Sequence, residues 1–107
     1  MTMKTITVAE LKERLSKDEI LLIDVREPEE HQAASIEGAC LIPLGELSLE
    51  RLPATTKPIV IHCRSDKRSS FACALLLATD PTLDLSVLEG GIIAWQQAGY
   101  HHKNTTK

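Results

Sequence analysis

Four short, nearly continuous apolar runs govern what this chain can become. They are Ile20-Leu21-Leu22-Ile23-Asp24-Val25, Ala39-Cys40-Leu41-Ile42, Ile59-Val60-Ile61-His62 and Leu85-Ser86-Val87-Leu88. Each is too short for an independent buried helix, and none shows the in–out alternation of a strand with one wet face. Runs of this kind read as strands covered on both sides. The stretches between them carry helical signals. Thr7 and Glu10 form a capping-box pair, and Val8, Leu11 and Leu15 then fall on one helical face. Pro28 suits the first turn of a helix that Glu29 and Glu30 favour electrostatically, and that helix is expected to end near Ser35. Residues 45–52 read as a helical turn, with Pro53 and Pro58 bracketing a surface loop. Residues 71–78 are apolar almost all round, which predicts a fully buried helix ended by Asp80-Pro81. Gly90-Gly91 reads as a turn before a helix over residues 92–98, capped by Gly99. Strands alternating with helices imply the α/β class with a parallel sheet. In such sheets ligands bind beyond the carboxyl ends of the strands.

With 107 residues, the chain suits one domain over residues 1–107, with a core over about residues 5–100 and a flexible tail over 101–107. A chain of this size buries about two-thirds of the surface it would expose unfolded, enough for a core without metal or disulfides. One Trp, one Tyr and one Phe leave Leu, Ile, Val and Ala to build that core. A net charge of −3 argues against nucleic acid as a partner. No apolar run approaches the roughly 18 residues of a membrane span, and MTMKTITVAE lacks the apolar core and cleavage site of a signal peptide. Cys40, Cys63 and Cys73 are odd in number and form no Cys-x-x-Cys pair. That pattern is neither a disulfide framework nor a zinc site, so reduced thiols and a cytoplasmic location are expected.

The chemistry concentrates after the third run, in Cys63-Arg64-Ser65-Asp66-Lys67-Arg68-Ser69. A cysteine stands at the end of a buried strand, and three cations follow within five residues. A helix is expected to begin near Ser69, a good N-capping residue. Only the thiolate is a good nucleophile, and both a helix N-terminus and neighbouring cations favour it. A loop curled around Cys63 would turn its amide N–H groups inward as an anion-binding nest. Arg64, Lys67 and Arg68 would attract an anionic substrate although the whole chain is acidic. The bland alternative is a core cysteine followed by a solvated loop, and three cations directly behind it argue against that.

This segment resembles the active-site loop of the rhodanese family, usually Cys-Arg-Ser-Gly-x-Arg-Ser. Leu22-Ile23-Asp24-Val25-Arg26-Glu27-Pro28-Glu29-Glu30-His31 is similar to that family's first box, which Ile36-Glu37-Gly38-Ala39 and Ile42-Pro43-Leu44 continue. Leu88-Glu89-Gly90-Gly91-Ile92, with Trp95, Ala98, Gly99 and Tyr100, is similar to its last box. The boxes keep their order over about residues 7 to 100. The resemblance implies a rhodanese-like fold with a central parallel five-stranded sheet flanked by helices on both faces. It implies a thiosulfate sulfurtransferase with Cys63 as the sulfur carrier and no metal or organic cofactor. Arg64, Ser65, Asp66, Lys67, Arg68 and Ser69 would bind a small anionic donor, thiosulfate or a persulfide. A thiol, a protein or cyanide would accept the sulfur, with neither nucleic acid nor membrane involved.

Asp66 departs from the family pattern, which has Gly there. Gly suits a left-handed backbone, and Asp tolerates one better than most residues. A carboxylate near Cys63 is expected to oppose the thiolate and repel an anionic donor. On that reading, Asp66→Gly raises thiosulfate turnover. Ser35 replaces a frequent His at a position that looks structural. Asp24 and Arg26 read as a pair tying loops together. His62 points away from the Cys63 side of its strand and reads as a satisfied core histidine. Cys40 and Cys73 read as small hydrophobes, and Trp95 as an anchor for the last helix. His101-His102 is weak evidence of metal binding.

Two other readings compete. Cysteine phosphatases and arsenate reductases also join His-Cys to a closing Arg, with five residues between Cys and Arg. Here only four lie between Cys63 and Arg68, a smaller ring that suits one sulfur atom better than a tetrahedral oxyanion. The other is a non-catalytic, regulatory rhodanese-like binding module.

Overall fold

The computed structural model describes residues 3–104, with β1 (Thr5–Ile6), α1 (Val8–Ser16), β2 (Leu21–Asp24), α2 (Pro28–Ala33), β3 (Ala34–Ser35) and β4 (Cys40–Leu41) in its first half. Two 3-10 turns follow, Leu44–Glu46 and Leu49–Arg51. Then come β5 (Ile59–His62), α3 (Lys67–Thr79), β6 (Leu85–Leu88), α4 (Gly91–Gln97) and β7 (Lys103–Asn104).

The central strands sort their side chains by parity. Ile23, Ile59, Ile61, Leu85 and Val87 face one layer, packed with Ala72, Cys73 and Leu76 of α3. Leu22, Val60 and Leu88 face the other, packed with Leu11 of α1 and with Ile92 and Trp95 of α4. Continuous apolar runs are what a strand covered on both sides requires. Five parallel strands in the order β1-β6-β5-β2-β4 form the sheet, with β5 at its centre. Ile23 lies opposite Ile61 and Asp24 opposite His62, so β2 and β5 end level with each other. The fold is therefore an α/β architecture with a parallel five-stranded sheet and helices on both faces.

The capping box of α1 forms as the sequence predicts. Glu10 donates its backbone N–H to the Thr7 hydroxyl at 3.1 Å, and Thr7 donates its own N–H to the Glu10 carboxylate at 3.0 Å. Other elements differ from expectation. β1 has only two residues and carries no apolar run of its own. It is held at the sheet edge by Val87 N–H to Lys4 O (3.0 Å) and Glu89 N–H to Ile6 O (2.9 Å). α2 ends at Ala33 rather than near Ser35, because Ala34–Ser35 turns extended to pair with β7.

α3 is not buried all round. Phe71 is 60% exposed and Leu75 44%. A helix laid on a sheet hides only the side that faces it. Beside that exposed side, Leu47, Ser48, Leu49 and Glu50 line an open groove of about 490 Å³ together with Leu75, Thr79 and the edge of Leu76. The described part of the C-terminal segment is held by two contacts. The indole N–H of buried Trp95 finds its acceptor in His101 O at 2.9 Å, and β7 pairs antiparallel with β3. A buried indole N–H needs such a partner, and this ties down residues that composition alone marks as frayed. Residues 105–107 of the expected tail lie outside the described residues. No described helix is long and apolar enough to cross a membrane.

Candidate active site

β5 delivers Cys63 to the carboxyl edge of the sheet, one residue beyond the strand end, where its side chain is buried. α3 starts at Lys67, two residues before the expected position, with Asp66 at the N-cap. Ser69 is therefore not the cap but the third residue of the helix. Its backbone N–H, one of the donors a helix start leaves without an intrahelical partner, points at Cys63 Sγ at 3.3 Å. Ser69 Oγ lies 3.4 Å from the same sulfur and donates its hydrogen to Asp66 O at 3.1 Å. The sulfur thus occupies the place of a helix-capping acceptor, where negative charge on it is stabilised by an amide and by the end of a 13-residue helix.

The backbone of the loop is held from the opposite side. Cys63 O accepts from Ile92 N–H at 3.0 Å and Arg64 O from Ile93 N–H at 3.2 Å. Gly91, at φ +58°, sits directly beneath. A Cβ there would lie 2.5 Å from the carbonyl oxygens of Cys63 and Ser65 and 2.6 Å from that of Arg64. The start of α4 therefore gathers the loop's carbonyls. Read as a sequence, Gly90-Gly91 signals a turn but not this close approach.

The candidate ligand-binding residues separate into two groups. Arg64, Ser65 and Lys67 are exposed at the rim, and among the described residues neither Arg64 nor Lys67 enters an ion pair. Arg68 is committed elsewhere. Its two terminal nitrogens grip both oxygens of Glu30 on α2, at 2.6 and 3.0 Å. The Arg68 hydrogen bonds hold the Glu30 carboxyl at about 2, well below the usual range. Glu30 thus joins the loop's support, a role the sequence does not reveal because its partner is 38 residues away. Asp66 has φ −131°, so the left-handed backbone expected at this position is absent. Its carboxylate makes no side-chain cap on α3 and accepts instead from Gly90 N–H at 2.8 Å.

A buried polar cluster braces the neighbouring strand end. Asp24 accepts from Arg26 N–H (2.9 Å), Nε (3.0 Å) and Nη2 (2.8 Å), and Arg26 Nη2 also reaches Ala34 O at 2.7 Å. His31 Nδ1 lies 2.9 Å from Asp24 Oδ2. Burial pushes the Asp24 carboxyl up, but Arg26, His62 and His31 together hold it below the ordinary value. Arg26 is therefore a tie between loops, as the sequence suggests. His62 is only half satisfied. Its Nδ1–H donates to Cys63 O at 3.2 Å, whereas its buried Nε2 has no hydrogen-bond partner among the described residues and stands 3.9 Å from Asp24 Oδ2. Burial drives this imidazole toward its neutral form against the opposing pull of Asp24.

Cys73 is fully buried on α3, and burial pushes its thiol up to about 12, far from nucleophilic at neutral pH. Cys40 is half-buried in β4. Among the described residues, no group of His, Cys, Asp and Glu is placed to hold a metal.

Comparison with known proteins agrees with this geometry. The family model described as "Rhodanese-like domain" matches residues 7–98. A protein named sulfurtransferase from Allochromatium vinosum is 37% identical over 92 residues, covering 83% of this chain and 84% of that one. The protein slr1261 of Synechocystis is 38% identical over 96 residues, 89% of this chain, and the chain spans only 53% of its length. Among solved structures, a rhodanese-related protein from Thermoplasma volcanium superposes with a TM-score of 0.82 at 29% identity, covering 94% of this chain and 97% of that one. Relatives matched over most of their own length carry the sulfurtransferase name, one of them as putative. A cysteine held at a helix start beyond the central strand, in a chain matched over nearly its whole length, makes this protein a member of the rhodanese-like domain family.

Proposed function

We propose that Cys63 carries sulfane sulfur as a persulfide between a small anionic donor and a thiol. The observation that carries the reading is the Ser69 N–H aimed at Cys63 Sγ from the first turn of α3. With thiosulfate as donor, the Cys63 thiolate attacks the outer sulfur. The S–S bond to the sulfite group breaks, sulfite leaves with its electron pair, and Cys63 holds the outer sulfur as a persulfide anion. An acceptor thiolate or cyanide then attacks that sulfur, and the Cys63 thiolate departs. No net oxidant or reductant is consumed. Exposed Arg64 and Lys67 draw the anionic donor to the rim, and loop amides stabilise charge on the terminal sulfur. A donor or acceptor displayed by a protein suits the same step. Three unpaired thiols favour a reducing compartment such as the cytoplasm.

Intact mass tests the reading. Incubation with thiosulfate is expected to add one sulfur atom, about 32 Da, which cyanide or a thiol removes. Cys63→Ser is expected to gain nothing. If neither thiosulfate nor a low-molecular-weight persulfide adds mass to the wild-type protein, the carrier role fails and the regulatory binding-module reading takes its place.

A further inference from the structure

An aspartate at a helix N-cap ordinarily accepts hydrogen bonds from the second or third amide of its own helix. Asp66 does not. It stands at the N-cap of α3, yet its carboxylate turns away to Gly90 N–H, 24 residues along the chain. Gly90 is itself the N-cap of α4. One residue therefore joins the starts of two helices, its backbone at the first and its carboxylate at the second. Of the amides it forgoes, the third, that of Ser69, is the donor aimed at Cys63 Sγ. The joint also closes a ring of contacts around the loop. Ile92 and Ile93 hold the carbonyls of Cys63 and Arg64, Gly91 lies against them without a side chain, and Asp66 fastens the far end of the same segment to the same turn. A peptide unit whose carbonyl is held outward must present its N–H on the other side.

We propose that Asp66 is a positioning residue, whose carboxylate bonds Gly90 N–H to lock the 63–66 loop onto the start of α4 and leaves the Ser69 amide to the Cys63 sulfur. This deepens the sulfur-carrier reading and rests on it for its functional meaning, but the clamp itself can be tested without sulfur chemistry. It also reverses the expectation drawn from charge alone. A carboxylate engaged by an amide supports the thiolate through geometry more than it opposes it through repulsion.

The decisive comparison is Asp66→Ala, which removes the acceptor, against Asp66→Asn, which keeps an acceptor oxygen and removes the charge. The readout is the rate of Cys63 alkylation by iodoacetamide as a function of pH, with Cys63→Ser as blank and thermal unfolding to confirm that each variant is folded. The clamp predicts a midpoint raised by about one pH unit in the Ala variant, roughly a tenfold smaller thiolate fraction at neutral pH, and no rise in the Asn variant. A downward shift in both, no shift in either, or a rise in both overturns it. Thiosulfate loading followed by mass is then expected to slow about tenfold in the Ala variant and to be largely rescued by Asn. If the wild-type protein takes up no sulfur at all, the carrier reading fails, whereas the alkylation pattern still decides the clamp.

Discussion

Gly91 is the residue whose replacement should be felt most directly at the sulfur. It occupies a left-handed backbone and lies against three carbonyl oxygens of the cysteine loop. Gly91→Ala adds a methyl group where backbone, not a yielding side chain, is in the way. We expect a loss of more than about 2 kcal/mol in denaturant unfolding, and loss of thiosulfate loading even under conditions where the variant is folded. Stability equal to wild type would show that the loop moves aside freely. At this scale the sequence was partly legible. Cys63 and its following cations mark the site by residue type and spacing. Glu30, Gly91 and the carboxylate contact of Asp66 do not, because each acts through a partner distant in the chain. Arg68 reads as a ligand-binding cation from the sequence, and its pairing with Glu30 is a contact the sequence does not reveal.

Among the elements, α3 shows how a pattern of residue types underdetermines exposure. Residues 71–78 look uniformly apolar, yet only Ala72, Cys73 and Leu76 of that stretch face the sheet fully. Leu76→Ala should therefore cost about 2–5 kcal/mol, whereas Phe71→Ser should change unfolding free energy by less than about 0.5 kcal/mol. Equal losses would mean that the outer face is covered in solution. The long strands β2, β5 and β6 were legible because each must be apolar on both sides. β1 and β7 were not, because neither lies in an apolar run and both owe their place to neighbours. The helix starts were mixed. Thr7 caps α1 through its own side chain, so its signature is local, while the start of α3 was displaced by a cap whose side chain is used elsewhere.

The molecule as a whole should lose stability as pH falls, beginning with His62. This ring faces Asp24, Arg26 and His31, and burial lowers its folded-state pKa from the ordinary 6.5. The unfolded chain then binds a proton near pH 6.5 that the folded chain refuses, so stability is full above that pH. It declines below it, with a limiting slope of about 1.4 kcal/mol per pH unit. Chemical denaturation between pH 7 and 5 should show this slope in the wild-type protein and a shallower one in His62→Phe. Identical slopes would place the proton uptake elsewhere. Parity within the sheet has another consequence. Ile59, Ile61 and Cys63 share one layer and Val60 the other, so β5 behaves as a ratchet with a step of two residues. Inserting one residue in β5 would turn the thiol toward the α1–α4 layer and present His62 in its place, and deleting one would turn the thiol the same way and bring Arg64 there. Length changes in this strand must come in pairs if the chemistry is to stay on its own side of the sheet.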